Sequence, residues 1–280
     1  MKNMKLTIPD IIAKKGTEKI SMLTAYDVSF ARLLESQGVD MILVGDSLGM
    51  VVLGYESTVP VTMDEMIHHC KAVRRGSSCF VVGDMPFLSY QVDIKEAITH
   101  AGRFIKEAGC DAVKLEGGLE VCDTVHAIVE AGIPVMGHIG LTPQTASQLG
   151  GYKVQGKDVE SARKMLKDAQ ALDEAGVFAI VLECIPDALA KSITASISVP
   201  TIGIGAGSDC DGQVLVTHDL LGMFDKFVPS FVKKYAELAP QMKEAIAAFV
   251  SEVKTGNFPD EAHSFSMKID VEKLMDTESN

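Results

Sequence analysis

The feature that most constrains this chain is a unit that recurs along it: a helical pattern, a glycine, then a short apolar run. Ser36-Gln37-Gly38 precedes Met41-Ile42-Leu43-Val44, and Glu107-Ala108-Gly109 precedes Ala112-Val113-Lys114-Leu115. Glu130-Ala131-Gly132 precedes Pro134-Val135-Met136-Gly137, and Glu174-Ala175-Gly176 precedes Phe178-Ala179-Ile180-Val181-Leu182. A glycine after a helix supplies the left-handed conformation that ends it. An apolar run of strand length then reads as a strand buried on both faces. Such a chain alternates helices with parallel strands.

The helical stretches carry the matching periodicity. Residues 62–76 place Met63, Met66, Ile67, Cys70 and Val73 on one stripe, and Thr62 with Glu65 forms a capping-box pattern. Residues 93–109 repeat the design with Asp93 as the cap, and 158–176 and 187–197 read similarly. Strands are predicted at 20–24, 41–44, 80–83, 112–115, 134–138, 178–182 and 201–205, with an eighth between 214 and 228. Eight such units in about 250 residues match the size of a (β/α)8 TIM barrel. A doubly wound sheet is the alternative. Its phosphate-binding fingerprint is missing, because Gly203-Ile204-Gly205-Ala206-Gly207 fits neither G-x-G-x-x-G nor a P-loop. A tight strand-to-helix turn is the simpler use of those glycines.

No linker divides the chain. We expect one catalytic domain over residues 1–265, preceded within it by a short N-terminal helix near 7–15 that closes the barrel bottom. A polar tail is expected over 266–280. The net charge of -12 argues against nucleic-acid and anionic-membrane partners, which call for a basic surface. No apolar run reaches membrane-spanning or signal-peptide length, and the six cysteines show neither C-x-x-C pairs nor zinc spacing. Reduced thiols in a cytoplasmic protein are the expectation.

Four of the strands end on an acid: Val44-Gly45-Asp46-Ser47, Val82-Gly83-Asp84-Met85, Lys114-Leu115-Glu116-Gly117 and Leu182-Glu183-Cys184. In parallel sheets these ends share one face, and ligands bind there. Helix capping explains Asp46 and Asp84 poorly, since the next predicted helices start only at Thr62 and Asp93. Together with Glu116 they offer the oxygen ligands that suit Mg²⁺. Lys114 and Glu116, two apart on one strand, must share a face; a buried ion pair and a site are both open readings. Glu183 follows Val181-Leu182, so desolvation would make it a base usable near neutrality; the alternative is a cap for the helix near Pro186. His138 closes its strand as either a substrate ligand or a satisfied core imidazole.

These motifs resemble one family, the ketopantoate (3-methyl-2-oxobutanoate) hydroxymethyltransferases. The resemblance rests on Thr24-Ala25-Tyr26-Asp27, Val44-Gly45-Asp46-Ser47-Leu48-Gly49-Met50, Pro60-Val61-Thr62 and Val113-Lys114-Leu115-Glu116-Gly117-Gly118. It continues through Gly137-His138-Ile139-Gly140-Leu141-Thr142-Pro143-Gln144, Gly150-Gly151-Tyr152-Lys153-Val154-Gln155-Gly156 and Leu182-Glu183-Cys184-Ile185-Pro186. Ile202-Gly203-Ile204-Gly205-Ala206-Gly207 and Glu261-Ala262-His263-Ser264-Phe265 complete it, so it spans about residues 8–265. It implies a (β/α)8 barrel using one Mg²⁺ per subunit and 5,10-methylenetetrahydrofolate as co-substrate. Asp46 and Asp84 would ligate the metal, with Glu116 beside it or acting through water. Ser47, Lys114 and His138 would contact 3-methyl-2-oxobutanoate together with the metal-binding Asp46 and Asp84, and Glu183 would be the base. The family forms homo-oligomers, commonly decamers. The nearest rival is a Mg²⁺-dependent lyase or mutase of the phosphoenolpyruvate/isocitrate lyase type, whose catalytic loop often carries a cysteine that has no counterpart here. A binding protein that retained the barrel without catalysis has no use for a base at Glu183.

Overall fold

The computed structural model describes residues 5–223 and 228–267. Eight strands run in chain order around a closed, all-parallel barrel: β1 (Ile20–Thr24), β2 (Met41–Val44), β3 (Phe80–Asp84), β4 (Ala112–Glu116), β5 (Val135–Gly140), β6 (Ala179–Glu183), β7 (Thr201–Ile204) and β8 (Gly212–Leu215). Between them lie α1 (Ile8–Ala13) ahead of the barrel, α2 (Val28–Ser36), α3 (Leu48–Val51), α4 (Met63–Gly76) and α5 (Ile94–Lys106). The second half adds α6 (Cys122–Glu130), α7 (Val159–Glu174), α8 (Asp187–Ser196), α9 (Thr217–Leu220) and α10 (Leu238–Thr255). The doubly wound alternative is excluded by the pairing of β1 with β8.

The caps form as the sequence signals. Thr62 and Glu65 bond reciprocally at the start of α4, and Asp93 accepts from the amides of Lys95 and Glu96 at α5. The glycines that close the repeat, Gly38, Gly109, Gly132 and Gly176, all have φ between 70° and 94°.

Two apolar layers result. Outward side chains such as Val81, Val113 and Leu182 pack against the helices, including Phe104 of α5 and Leu172 of α7. Inward ones, among them Met22, Phe80, Val82, Met136 and Val181, fill the barrel's lower half. Ile11 of α1 joins this inner cluster and is fully buried, so the N-terminal helix does plug the bottom. The barrel interior is thus a packed core below and a cavity above.

The eighth strand departs from expectation. It occupies Gly212–Leu215, ahead of most of the 214–228 window, whose residues 224–227 lie outside those described. Its first residues, Gly212-Gln213, carry no apolar signal. A Cβ on Gly212 would meet the Ile20 carbonyl oxygen at 2.5 Å, so close packing rather than hydrophobic pattern selects the glycine. Four strand ends also run further than predicted: Asp84, Glu116 and Glu183 are the last residues of their strands, and β5 continues to Gly140. The predicted polar tail falls almost wholly outside the described residues.

No residue of α10 is buried, and Met242, Ile246, Phe249 and Val253 on it are exposed. Among the described residues no helix is long and apolar enough to cross a membrane.

Close packing also sets the strand that carries Asp84. A Cβ on Gly83 would lie 2.3 Å from Cδ1 of the buried Phe104. Gly83→Ala is expected to lower stability by about 1–3 kcal/mol through overpacking. A thermal melt superimposable on that of the unmodified protein would show that Phe104 yields freely.

Candidate active site

Strand alternation delivers each functional side chain to the barrel mouth. On β3 the inward row is Phe80, Val82 and Asp84, and on β4 it is Ala112, Lys114 and Glu116. On β5 His138 follows Met136, and on β6 Glu183 follows Val181. Asp46 and Ser47 come from the turn between β2 and α3. All seven sequence-predicted residues, Asp46, Ser47, Asp84, Lys114, Glu116, His138 and Glu183, line one cavity of about 300 Å³ at the C-terminal ends of the strands.

Lys114 is the hub. Its ammonium, 3% exposed, stands 2.8 Å from Asp84 Oδ1, 3.1 Å from His138 Nδ1 and 3.8 Å from Glu116 Oε1. Burial disfavours its charge, but Asp84, Glu116 and Asp46 around it outweigh that and hold its pKa above the ordinary lysine value. Lys114 is therefore a fixed cation.

The histidine state follows from Lys114. Burial, then the adjacent ammonium, push His138 well below its usual pKa, so the ring is neutral. An ammonium has no lone pair, so Nδ1 accepts from it and the ring proton sits on Nε2. Nε2 lies 3.1 Å from Glu183 Oε2 but out of line for a hydrogen bond.

The carboxylates outnumber the cation. Burial, reinforced by Asp84, pushes Asp46 up to about 8. Burial, with Asp46 and Asp84 adding to it against Lys114, lifts Glu116 well above its usual range. Burial pushes Glu183 up to about 7, with Lys114 opposing. Oδ1 of Asp84 is buried without a hydrogen-bond partner, since the nearby ammonium is out of line. Among the described residues no three His, Cys, Asp or Glu side chains converge to cage an ion unaided. Two adjacent carboxylates with an unused oxygen nevertheless fit a hard divalent cation such as Mg²⁺, which fills its shell with water and substrate oxygens.

Other parts of the site were not singled out from sequence. Gln144, 3% exposed, donates from Nε2 to Asp46 Oδ2 and to the Met85 carbonyl, both at 2.9 Å. Its backbone amide donates to Glu116 Oε2 at 3.1 Å, and its Oε1 accepts from the Tyr90 hydroxyl at 2.9 Å. One glutamine thereby orients two carboxylates. The Tyr26 hydroxyl lies 2.9 Å from Ser47 Oγ. Both Gln144 and Tyr26 fall inside stretches quoted above for the family resemblance, which was the available signal.

Capping is not the role of Glu183. Pro186 begins α8 with no side-chain cap, and the Glu183 carboxylate faces the cavity. Cys184 after it has φ 48°, a left-handed conformation costly for a non-glycine residue. Two backbone hydrogen bonds, to the Ile204 carbonyl and from the Gln155 amide, hold it there. Burial, then Glu183, push its thiol up to about 12, which leaves it unreactive.

Residues 5–261 match the family model described as ketopantoate hydroxymethyltransferase. The chain belongs to that family. It is accordingly an enzyme, a transferase of the hydroxymethyl type. A relative from Desulfotalea psychrophila named 3-methyl-2-oxobutanoate hydroxymethyltransferase is 60% identical, covering 97% of this chain and 98% of its own. One of the same name from Syntrophomonas wolfei is 63% identical over 92% of this chain and 94% of its own. Among solved structures, a phosphoenolpyruvate phosphomutase from Streptomyces platensis superposes with TM-score 0.61 at 15% identity, covering 97% of this chain and 94% of its own. A phosphonopyruvate hydrolase in complex with oxalate and Mg²⁺ gives 0.60 at 14%, covering 96% and 95%. At such identities these two share the fold alone.

The raised carboxyls make a stability prediction. Asp46, Glu116 and Glu183 have folded-state pKa values above those of the unfolded chain, so the folded state retains protons that the unfolded state releases. Their contribution is therefore present at low pH and lost as pH rises from about 4 toward 8. Without divalent metal, the melting temperature of the unmodified protein should fall more steeply over that range than that of Asp46→Asn. MgCl₂ should raise it more at pH 8 than at pH 5.5. Equal slopes for the two proteins would refute the raised pKa of Asp46.

Proposed function

We propose that the enzyme transfers a hydroxymethyl group from 5,10-methylenetetrahydrofolate to 3-methyl-2-oxobutanoate, giving 2-dehydropantoate for pantothenate biosynthesis. The observation that carries this reading is Glu183, a carboxylate raised to about 7 at a mouth that also holds Lys114 and two carboxylates suited to a cation. Proton abstraction beside a carbonyl needs a base matched to neutral pH and positive charge where the enolate oxygen develops.

Asp46 and Asp84 would hold Mg²⁺, with Glu116 reaching it through water because Gln144 already occupies one of its oxygens. The metal would supply Lewis-acid polarisation of the oxo acid's oxygens. Ser47 Oγ, set by the Tyr26 hydroxyl, hydrogen-bonds the substrate carboxylate. Lys114 adds a fixed positive charge beside the oxo group, and neutral His138 turns its Nε2 proton toward the substrate. Glu183 takes the proton from C3. Water adds to the folate's methylene carbon, and both of its C–N bonds break with the water protons going to the two nitrogens. Tetrahydrofolate is thereby released from a formaldehyde-level carbon. C3 then bonds to that carbon, whose oxygen becomes the hydroxyl by taking the proton held on Glu183. The rival lyase or mutase reading loses ground to the shared name of the relatives and to the inert Cys184.

We infer that the enzyme works as a homo-oligomer, which the exposed apolar side chains of α10 support. Six free thiols support residence in a reducing, cytoplasmic compartment.

The test is proton NMR of 3-methyl-2-oxobutanoate in D₂O with the protein and Mg²⁺ but no folate. The C3 proton signal should disappear by exchange, and Glu183→Gln should slow this by about 10²-fold or more while binding substrate normally. Normal exchange in that variant sinks the base assignment. Asp46→Asn and Asp84→Asn should each raise the Mg²⁺ concentration required. An unchanged requirement in both would remove them as ligands.

A further inference from the structure

The residues assigned above lie on β2 to β6 and leave the β7–β8 side of the cavity unused. That wall is mainly apolar, formed by Ile204, Leu215, Val216, Pro229 and Phe231. The Phe231 ring is seated against Gly205, where a Cβ would come within 2.7 Å of it. One charged group interrupts the wall: Asp219 of α9, only 9% exposed. Among the described residues its carboxylate has no hydrogen-bond or ion-pair partner. Lys234, whose charge reaches it, pairs with Glu237. The turn that carries Asp219 is pinned, because Thr217 bonds through both its amide and its hydroxyl to Thr24 of β1.

A carboxylate set in an apolar wall and given no donor by the described residues is met best by a ligand that supplies them. Two adjacent, parallel N–H donors match its two oxygens best. A flat ring edged with such a pair would also use the apolar wall. We propose that Asp219 is the pterin-recognition residue, accepting from the N3–H and 2-amino groups of the folate donor while the ring lies along the Phe231–Val216 wall. The inference rests on the folate-dependent transfer proposed above and adds the subsite that holds the donor. Burial pushes the Asp219 carboxyl up to about 6, so the ligand's donors would draw it fully into its ionised form.

The experiment uses the full-length enzyme and three readouts: calorimetric binding of tetrahydrofolate, KM for 5,10-methylenetetrahydrofolate, and folate-free C3 proton exchange in D₂O. Asp219→Asn should weaken tetrahydrofolate binding and raise that KM by about tenfold or more, the loss expected for one charge-assisted pair. Proton exchange should continue within about twofold, showing the fold and the oxo-acid site intact. On the unmodified enzyme, a tetrahydrofolate analogue with methyl in place of the 2-amino group should bind about tenfold or more weakly. The variant should no longer distinguish the two. Unchanged folate KM and binding with exchange retained would overturn the assignment, as would equal binding of the analogue by the unmodified enzyme. Absence of any folate-dependent transfer by the unmodified enzyme would instead defeat the underlying reading, and the pterin site with it.

Discussion

The interaction on which the site depends is the burial of the Lys114 ammonium among carboxylates at the mouth of the barrel. An ammonium 3% exposed is tolerated only because Asp84, Glu116 and Asp46 surround it. Burial, and then the same charge, hold His138 neutral, and the charge tempers the upward push of burial on Glu183, so one lysine biases the protonation of the groups around it. The surplus of carboxyls over this one cation, held protonated by burial and mutual repulsion, is what makes the pocket receptive to a divalent cation that can displace those protons.

This arrangement is held by parts with no chemistry of their own. Gln144 spends both donors of its amide on Asp46 and the Met85 carbonyl, and its acceptor on Tyr90, so its rotation is locked. The Tyr90 hydroxyl in turn accepts from the Glu116 backbone amide at 3.1 Å, which ties the loop after β3 to the end of β4. Satisfied buried networks of this kind are rigid, since every broken bond strands a polar atom away from water. The left-handed backbone at Cys184 belongs to the same economy of positioning: it turns the chain sharply once Glu183 has been delivered.

The cavity therefore has two characters. Across β2 to β6 it is charged and oxygen-rich, suited to a small acid and a metal. Across β7 and β8 it is apolar around Asp219, whose carboxylate has no partner among the described residues, a surface suited to a flat heterocycle. A barrel makes such a division easy, because each strand ends in its own loop and each loop can carry a different surface to the shared mouth.

Much of this was legible in the sequence. The glycine-stopped repeat, the capping boxes and the acids closing the strands depend on interactions between residues a few positions apart, so order along the chain encodes them. Strand alternation likewise predicted that Lys114 and Glu116 share a face and that Glu183 and Cys184 do not. Gly212 shows where that logic fails: β8 opens on a glycine chosen by the neighbouring Ile20 carbonyl, nearly two hundred residues away. Gln144 and Asp219 show it too. Nothing local distinguishes a glutamine in a loop or an aspartate after a strand. Only closure of the barrel brings Gln144 within 2.9 Å of Asp46 and sets Asp219 in the apolar wall with no donor among the described residues. The chain's own periodicity determined the barrel and the row of acids at its mouth. The protonation states, the locking glutamine and the divided cavity were decided by tertiary structure, because burial and charge proximity exist only once distant strands share one rim.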